Sequence, residues 1–213
     1  MGRFASSLLS GLLEVDEVLQ ARRPGELVEL VGKHDIAIGF DFTVAGLGLT
    51  HGRTMLEAGV RPVIGTSGVS PEQASELDHL ARELGLGGIV VPNFSLGMAC
   101  LQRAARTLAG SFAKAEILER HHDRKRDRPS ASALHTRALL QAAGLDEVPI
   151  HSVRLPGLYA HHELIFGGPG ETVTLAHDMS GPEAFGPGIK AALGHVLEAD
   201  GVAFGLEAVL ASE

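Results

Sequence analysis

Ile36-Ala37-Ile38-Gly39-Phe40-Asp41-Phe42-Thr43 is the stretch on which the fold turns. Its apolar residues run on without alternation and close on a polar residue, the profile of a strand buried on both faces of a parallel sheet. Residues 49–58 then carry helical spacing and stop at Gly59. Pro62-Val63-Ile64 opens a second round. It ends in Gly65-Thr66-Ser67-Gly68 and leads to a helix over 71–84 with proline in the first turn. Ile89-Val90-Val91 opens a third, ends in Pro92-Asn93-Phe94-Ser95 and leads to a helix over 96–109. Three rounds of strand, turn and helix predict an α/β fold with a parallel, doubly wound sheet. Ligands of such sheets sit beyond the carboxyl ends of the strands. The three strand ends can therefore line one crevice.

Upstream, Leu8, Leu12, Val15 and Leu19 predict an amphipathic helix over 7–22, stopped by Pro24-Gly25, with a short helical turn over 27–31. Downstream, residues 113–118 read as a strand and 134–143 as a helix ending at Gly144. Strands follow over 150–154, 161–166 and 171–177, the last two joined across Gly167-Gly168-Pro169-Gly170 with antiparallel hairpin character. A helix over 188–197 is expected to return to the first domain. The expected division is 1–95 plus 188–213, then 96–187 as an α+β domain with an open mixed sheet.

The chain has 213 residues, 45% of them hydrophobic, and a net charge of −8, which fits a soluble protein with a real core. The acidic balance argues against wholesale nucleic-acid binding. Cys100 is the sole cysteine, so no intramolecular disulfide forms and a reducing compartment is expected. Serines and Gly11 interrupt the leucines near the start, and no apolar run approaches the roughly 20 residues that span a bilayer. The expectation is a cytoplasmic protein. With aromatics at 4% and no tryptophan, any cofactor ring must pack on Phe or aliphatic side chains.

Against that acidic background stands Glu119-Arg120-His121-His122-Asp123-Arg124-Lys125-Arg126-Asp127-Arg128-Pro129-Ser130-Ala131-Ser132. Two imidazoles and an ammonium group supply proton donors and fixed positive charge. Pro129-Ser130-Ala131-Ser132 reads as a helix start, whose outward N–H groups attract anions. Strand, cationic loop and helix terminus together suit a carboxylate or phosphate substrate that must receive a proton. A solvated loop is the plain alternative. A metal-dependent hydrolase using His121, His122 and His162 is another, though no ligand spacing supports it. In His161-His162-Glu163, neighbours on a strand point to opposite faces, which weakens a metal reading.

The run E-x-H-H-x-x-K-x-D-x-P-S-x-[ST]-A resembles the signature of the 4-hydroxy-tetrahydrodipicolinate reductase (dihydrodipicolinate reductase) family. The family motif normally ends Pro-Ser-Gly-Thr-Ala; here Ala131 replaces the glycine and Ser132 the threonine. Asp41-Phe42-Thr43, Gly65-Thr66-Ser67-Gly68 and Val91-Pro92-Asn93-Phe94-Ser95 resemble further family segments, in the family's order. The resemblance implies a Rossmann-like cofactor domain and a second domain that binds substrate and forms a tetramer. It implies reduction of a cyclic unsaturated dicarboxylate by NADPH or NADH, in lysine and diaminopimelate synthesis. His121 and Lys125 would be the catalytic acids, with His122, Ser130, Ala131 and Ser132 binding substrate. Gly65, Thr66 and Ser67 would supply backbone and hydroxyl contacts to the nicotinamide and its ribose. Val91, Pro92, Asn93 and Phe94 would hold the ring.

The resemblance covers residues 36 to the C-terminus. The family's opening glycine-rich turn, which holds the pyrophosphate, is not visible, so the cofactor domain reads as incomplete and the edge of 36–42 as bare. An incomplete copy, an edge covered by another chain and a rearranged fold all fit this. A non-catalytic relative acting as a structural or regulatory subunit is the rival function; it predicts no binding of NADH or NADPH.

Overall fold

The computed structural model describes residues 1–12, 15–21 and 25–211. In chain order the elements are α1 (Gly2–Leu9), α2 (Glu26–Lys33), β1 (Ile38–Asp41), α3 (Gly48–Glu57), β2 (Arg61–Ile64), α4 (Pro71–Leu84), β3 (Gly87–Val90) and α5 (Leu96–Ala109). Then come β4 (Lys114–His121), α6 (Ala131–Ala142), β5 (Ile150–Arg154), β6 (Ala160–Gly168), β7 (Glu171–Met179), α7 (Gly186–Glu198) and β8 (Gly201–Phe204). Two compact units result: Met1–Phe94 with Phe185–Glu213, and Ser95–Ala184.

The first unit holds a four-stranded, fully parallel sheet in the order β1-β2-β3-β8. Leu56 of α3 and Ala74, Leu77 and Ala81 of α4 pack with Ile64, Val90 and Val202 on one face. Gly87, three residues from Val90 and so on the opposite face, lies against the last turn of α7 near Val196 and Ala199. Helices on both faces make the sheet doubly wound. Local chemistry starts α4: Ser70 and Gln73 form a reciprocal capping box, Pro71 occupies the first turn, and Gly85 closes the helix at φ 65°.

The first unit departs from expectation in two elements and adds a third. The helix expected over 7–22 is the shorter α1, which ends at Ser10 and Gly11, where the Ser10 hydroxyl donates to the Ser6 carbonyl. Serines and glycine compete with helix extension at that point. Positions 13, 14 and 22–24, including Leu13 and the expected stop at Pro24, lie outside the described residues. The strand expected over 36–42 is four residues long and only partly buried, because β1 sits at the sheet edge with one neighbour. β8, which adds a parallel strand beside β3, was not expected at all.

The second unit is a mixed sheet, β5-β4-β6-β7, with β5 parallel to β4 and the other pairs antiparallel. Its core joins Ala115, Ile117, Leu164 and Phe166 of the sheet to Met98, Leu101 and Ala105 of α5 and Ala133 and Leu140 of α6. Each of the larger side chains stabilises the fold by roughly 1.5–3 kcal/mol through burial. The opposite face of the sheet carries no helix of this unit. The strand expected over 113–118 continues to His121, so Glu119, Arg120 and His121 belong to the sheet rather than to a loop. Pairing with both β5 and β6 extends the strand past its apolar run.

Candidate active site

Extension of β4 decides where its ionisable groups point. Ala115, Ile117, Glu119 and His121 alternate onto the inner face, while Arg120 faces the other way. Glu119 is 0% exposed. Its Oε1 accepts from Arg154 Nη2 at 2.8 Å, and its Oε2 contacts His121 Nδ1. Arg154, at the end of β5, is equally enclosed: the same Nη2 donates to the Asp127 carbonyl at 2.6 Å, and Nη1 to the Val153 carbonyl at 2.8 Å. Asp127 in turn holds Lys125, with Nζ and Oδ2 2.8 Å apart.

Burial raises the Glu119 carboxyl, but hydrogen bonds from Arg154 and Ser152 and the nearby positive charges outweigh it and hold the group ionised below its ordinary range. Burial lowers His121. Glu119 pulls it back up, while Lys125 and Arg154 push it further down, and the net result is a depressed imidazole. His162, opposite Glu119 on β6, is driven to about 4 by burial and is neutral at working pH. Asp127 is depressed: its burial is overcome by the hydrogen bond and charge of Lys125.

The loop after β4 delivers the chain to α6. Ser130 is buried and its hydroxyl caps the helix by accepting from Ala133 N–H at 3.3 Å. Ala131 is the first helical residue, and no residue other than glycine has positive φ among those described. A β-carbon at 131 is thus free of the backbone strain that a left-handed position would impose. His122 Nδ1 is buried without a hydrogen-bond partner among the described residues. His121, His122, Lys125, Ser130, Ala131 and Ser132 therefore fall on one continuous segment from β4 into α6.

In the first unit, the strand ends are tied level by backbone bonds. Gly65 N–H donates to the Asp41 carbonyl at 2.9 Å, Val91 N–H to Ile64 at 2.8 Å and Gly205 N–H to Val90 at 2.8 Å. Gly65, Thr66 and Ser67 thus lie beside Val91, Pro92, Asn93 and Phe94 at one edge of the sheet. A β-carbon on Gly65 would sit 2.5 Å from the Phe42 ring and 2.6 Å from that of Phe94. Those rings are 5.3 Å apart at 56°. The Thr66 hydroxyl is committed elsewhere: buried, it donates to Asp41 Oδ1 at 2.7 Å. Asp41 also accepts from Thr43 N–H and Oγ1 and pairs with His51 Nδ1 at 3.0 Å. Its carboxyl is depressed despite burial, because those hydroxyl, N–H and imidazole donors outweigh the desolvation.

Among the described residues no group of three His, Cys, Asp or Glu side chains is placed to hold a metal ion, and His121, His122 and His162 form no such set. The comparisons with known proteins agree with the motif. The family described as dihydrodipicolinate reductase, N-terminus, matches residues 10–94, and dihydrodipicolinate reductase, C-terminus, matches 94–210. The chain belongs to the dihydrodipicolinate reductase family. The 4-hydroxy-tetrahydrodipicolinate reductase of Moorella thermoacetica is 38% identical over 222 residues, covering 95% of this chain and 82% of the relative. That of Geobacillus thermodenitrificans is 39% identical over 199 residues, 84% of this chain and 74% of the relative. The dipicolinate-bound dihydrodipicolinate reductase from Paenisporosarcina sp. TG-14 superposes with TM-score 0.78 at 29% identity, covering 97% of this chain and 94% of that one. Apo scyllo-inositol dehydrogenase from Lactobacillus casei, at 11% identity and TM-score 0.61, shares the fold.

Two groups at this reductase-family site went unassigned in the sequence reading: Glu119 and Arg154. The usable signal was alternation, which puts a carboxylate at an inner position two residues after Ile117 and two before His121.

Proposed function

We propose that this chain reduces 4-hydroxy-tetrahydrodipicolinate, a cyclic unsaturated dicarboxylate, to tetrahydrodipicolinate with NADH or NADPH, releasing water. The observation that carries the reading is the segment from β4 to α6. There His121, Lys125, an unpartnered buried His122 nitrogen and the first turn of α6 are gathered on one unit. The chemistry needs both charge and a proton. The carboxylates of the substrate are met by Lys125 and by the N–H groups of the α6 first turn at Ala131 and Ser132. His121 contacts Glu119 through Nδ1, which leaves Nε2 to give the proton that balances the negative charge built up during reduction. Lys125 adds fixed positive charge and is the second donor.

When bound, the reduced nicotinamide supplies the hydride. The backbone of Gly65, Thr66 and Ser67 and the rim of Val91, Pro92, Asn93 and Phe94 would hold its ring, with Phe42 beside Gly65. Because the Thr66 hydroxyl serves Asp41, the exposed Ser67 hydroxyl is the side-chain donor of that turn.

We infer a homo-oligomer, a tetramer by family resemblance, working in the cytoplasm. Support comes from the outer face of the second sheet, where Leu118, Val153 and Ile165 (37% exposed) lie among Arg120, Glu163 and Asp178. Among the described residues no helix is long and apolar enough to cross a membrane. The test is consumption of NADH or NADPH by the purified chain on addition of the dicarboxylate. Turnover is expected. Absence of both turnover and nucleotide binding by calorimetry would favour a non-catalytic relative.

A further inference from the structure

The two proton donors share one buried brace. Glu119 Oε1 and the Asp127 carbonyl accept from a single nitrogen, Arg154 Nη2, at 2.8 and 2.6 Å. From Glu119 the contact continues through Oε2 to His121 Nδ1, and from Asp127 through Oδ2 to Lys125 Nζ at 2.8 Å. The guanidinium side chain is 1% exposed and the carboxylate 0%. We infer that Glu119 and Arg154 are positioning residues that hold His121 and Lys125 in one frame, Glu119 fixing the His121 ring with Nδ1 inward so that Nε2 carries the transferable proton. This rests on the reading of His121 and Lys125 as the donors.

The physical reason is the cost of the alternatives. A fully enclosed carboxylate and guanidinium are each expensive to desolvate and survive only when paired with good geometry. Glu119 gives Oε1 to Arg154 as a hydrogen-bond acceptor and sets Oε2 in close contact with His121 Nδ1, so one carboxylate faces both partners. An imidazole acting as acid must hold a proton on the outward nitrogen while its inward nitrogen is also protonated, and a carboxylate at Nδ1 stabilises that imidazolium. The other charged or titratable groups around His121 are Lys125 and Asp127 of the following loop, Arg154 of β5 and His162 of β6, itself backed by His177 of β7. Lys125 and Arg154 oppose the imidazolium, and neutral His162 adds no charge. Glu119 is the group that favours it.

The test uses Glu119→Gln and the double variant Glu119→Gln with Arg154→Gln, which removes the buried charge that the single change leaves unpaired. In Glu119→Gln the alkaline limb of the kcat profile is expected to move to lower pH by about one to three units, with the KM for the dicarboxylate little changed. In the double variant the limb should return part-way, because a charge opposing the imidazolium is gone. Independently, the His121 imidazole signal, assigned by its loss in His121→Gln, should titrate at lower pH in Glu119→Gln by NMR without substrate. A His121 titration that stays at its parental position in both variants overturns the inference, whatever happens to activity. A shifted titration in a chain whose His121→Gln variant turns over normally would sink the acid assignment instead and leave the coupling standing.

Discussion

The strand-end rim of the first unit and the inner sheet face of the second solve opposite problems. At the rim, backbone and apolar surface dominate: Gly65 has no side chain because two phenyl rings occupy the space, and buried Asp41 consumes the Thr43 and Thr66 hydroxyls and one His51 nitrogen. On the inner sheet face, enclosed Glu119 is paired with Arg154 and His121, and on the loop that follows the more exposed Asp127 is paired with Lys125. The first arrangement suits a neutral ring held by shape. The second suits charge and proton transfer. Altering the charged face should therefore act on kcat, and altering the rim should act on nucleotide affinity.

The largest expected effect is at the charged face. His121→Ala should lower kcat by about 10²–10⁴-fold, the range of a single acid/base group, with nucleotide affinity retained by calorimetry. Gly65→Ala should do the reverse: its β-carbon meets two rings and must displace them, so nucleotide affinity should fall, alongside a stability cost of about 1–3 kcal/mol. Dicarboxylate binding measured without nucleotide should hold. If Gly65→Ala lowers only kcat, the contrast between the two regions fails.

A smaller effect concerns pH and stability. His162 is held neutral in the fold with a pKa of about 4 against 6.5 unfolded. Its stabilising contribution is full above about 6.5 and is lost progressively as pH falls towards 4, because only the unfolded chain takes up the proton. Between pH 7 and pH 5 this amounts to about 2 kcal/mol. Urea unfolding of His162→Leu should show a correspondingly flatter dependence over that interval. Asp41 and Glu119 have depressed carboxyls, so their contributions persist above the ordinary carboxylate range and disappear only in stronger acid. Smallest for catalysis, Ile165→Asp on the outer sheet face should dissociate the proposed oligomer by light scattering, with the folded units intact.

Local chemistry explains which parts of the fold were legible. The bounds of α4 and α5 follow from Ser70 and Ser95 at their N-caps and glycines at their ends. β8 is legible only through its neighbour: Gly201-Val202-Ala203-Phe204 becomes a strand by pairing with β3, more than a hundred residues away. The site divides in the same way. His121, Lys125 and Ser130 lie in one contiguous run with a recognisable spacing. Arg154 joins the site through Glu119, thirty-five residues away, by strand register that no local pattern encodes.

The most direct test of the account is turnover by Lys125→Ala, following loss of reduced nicotinamide on addition of the dicarboxylate, with circular dichroism to monitor the fold. Near-complete loss of turnover with an unchanged fold and retained NADH or NADPH binding is the predicted result. Turnover equal to that of the parent chain would contradict it.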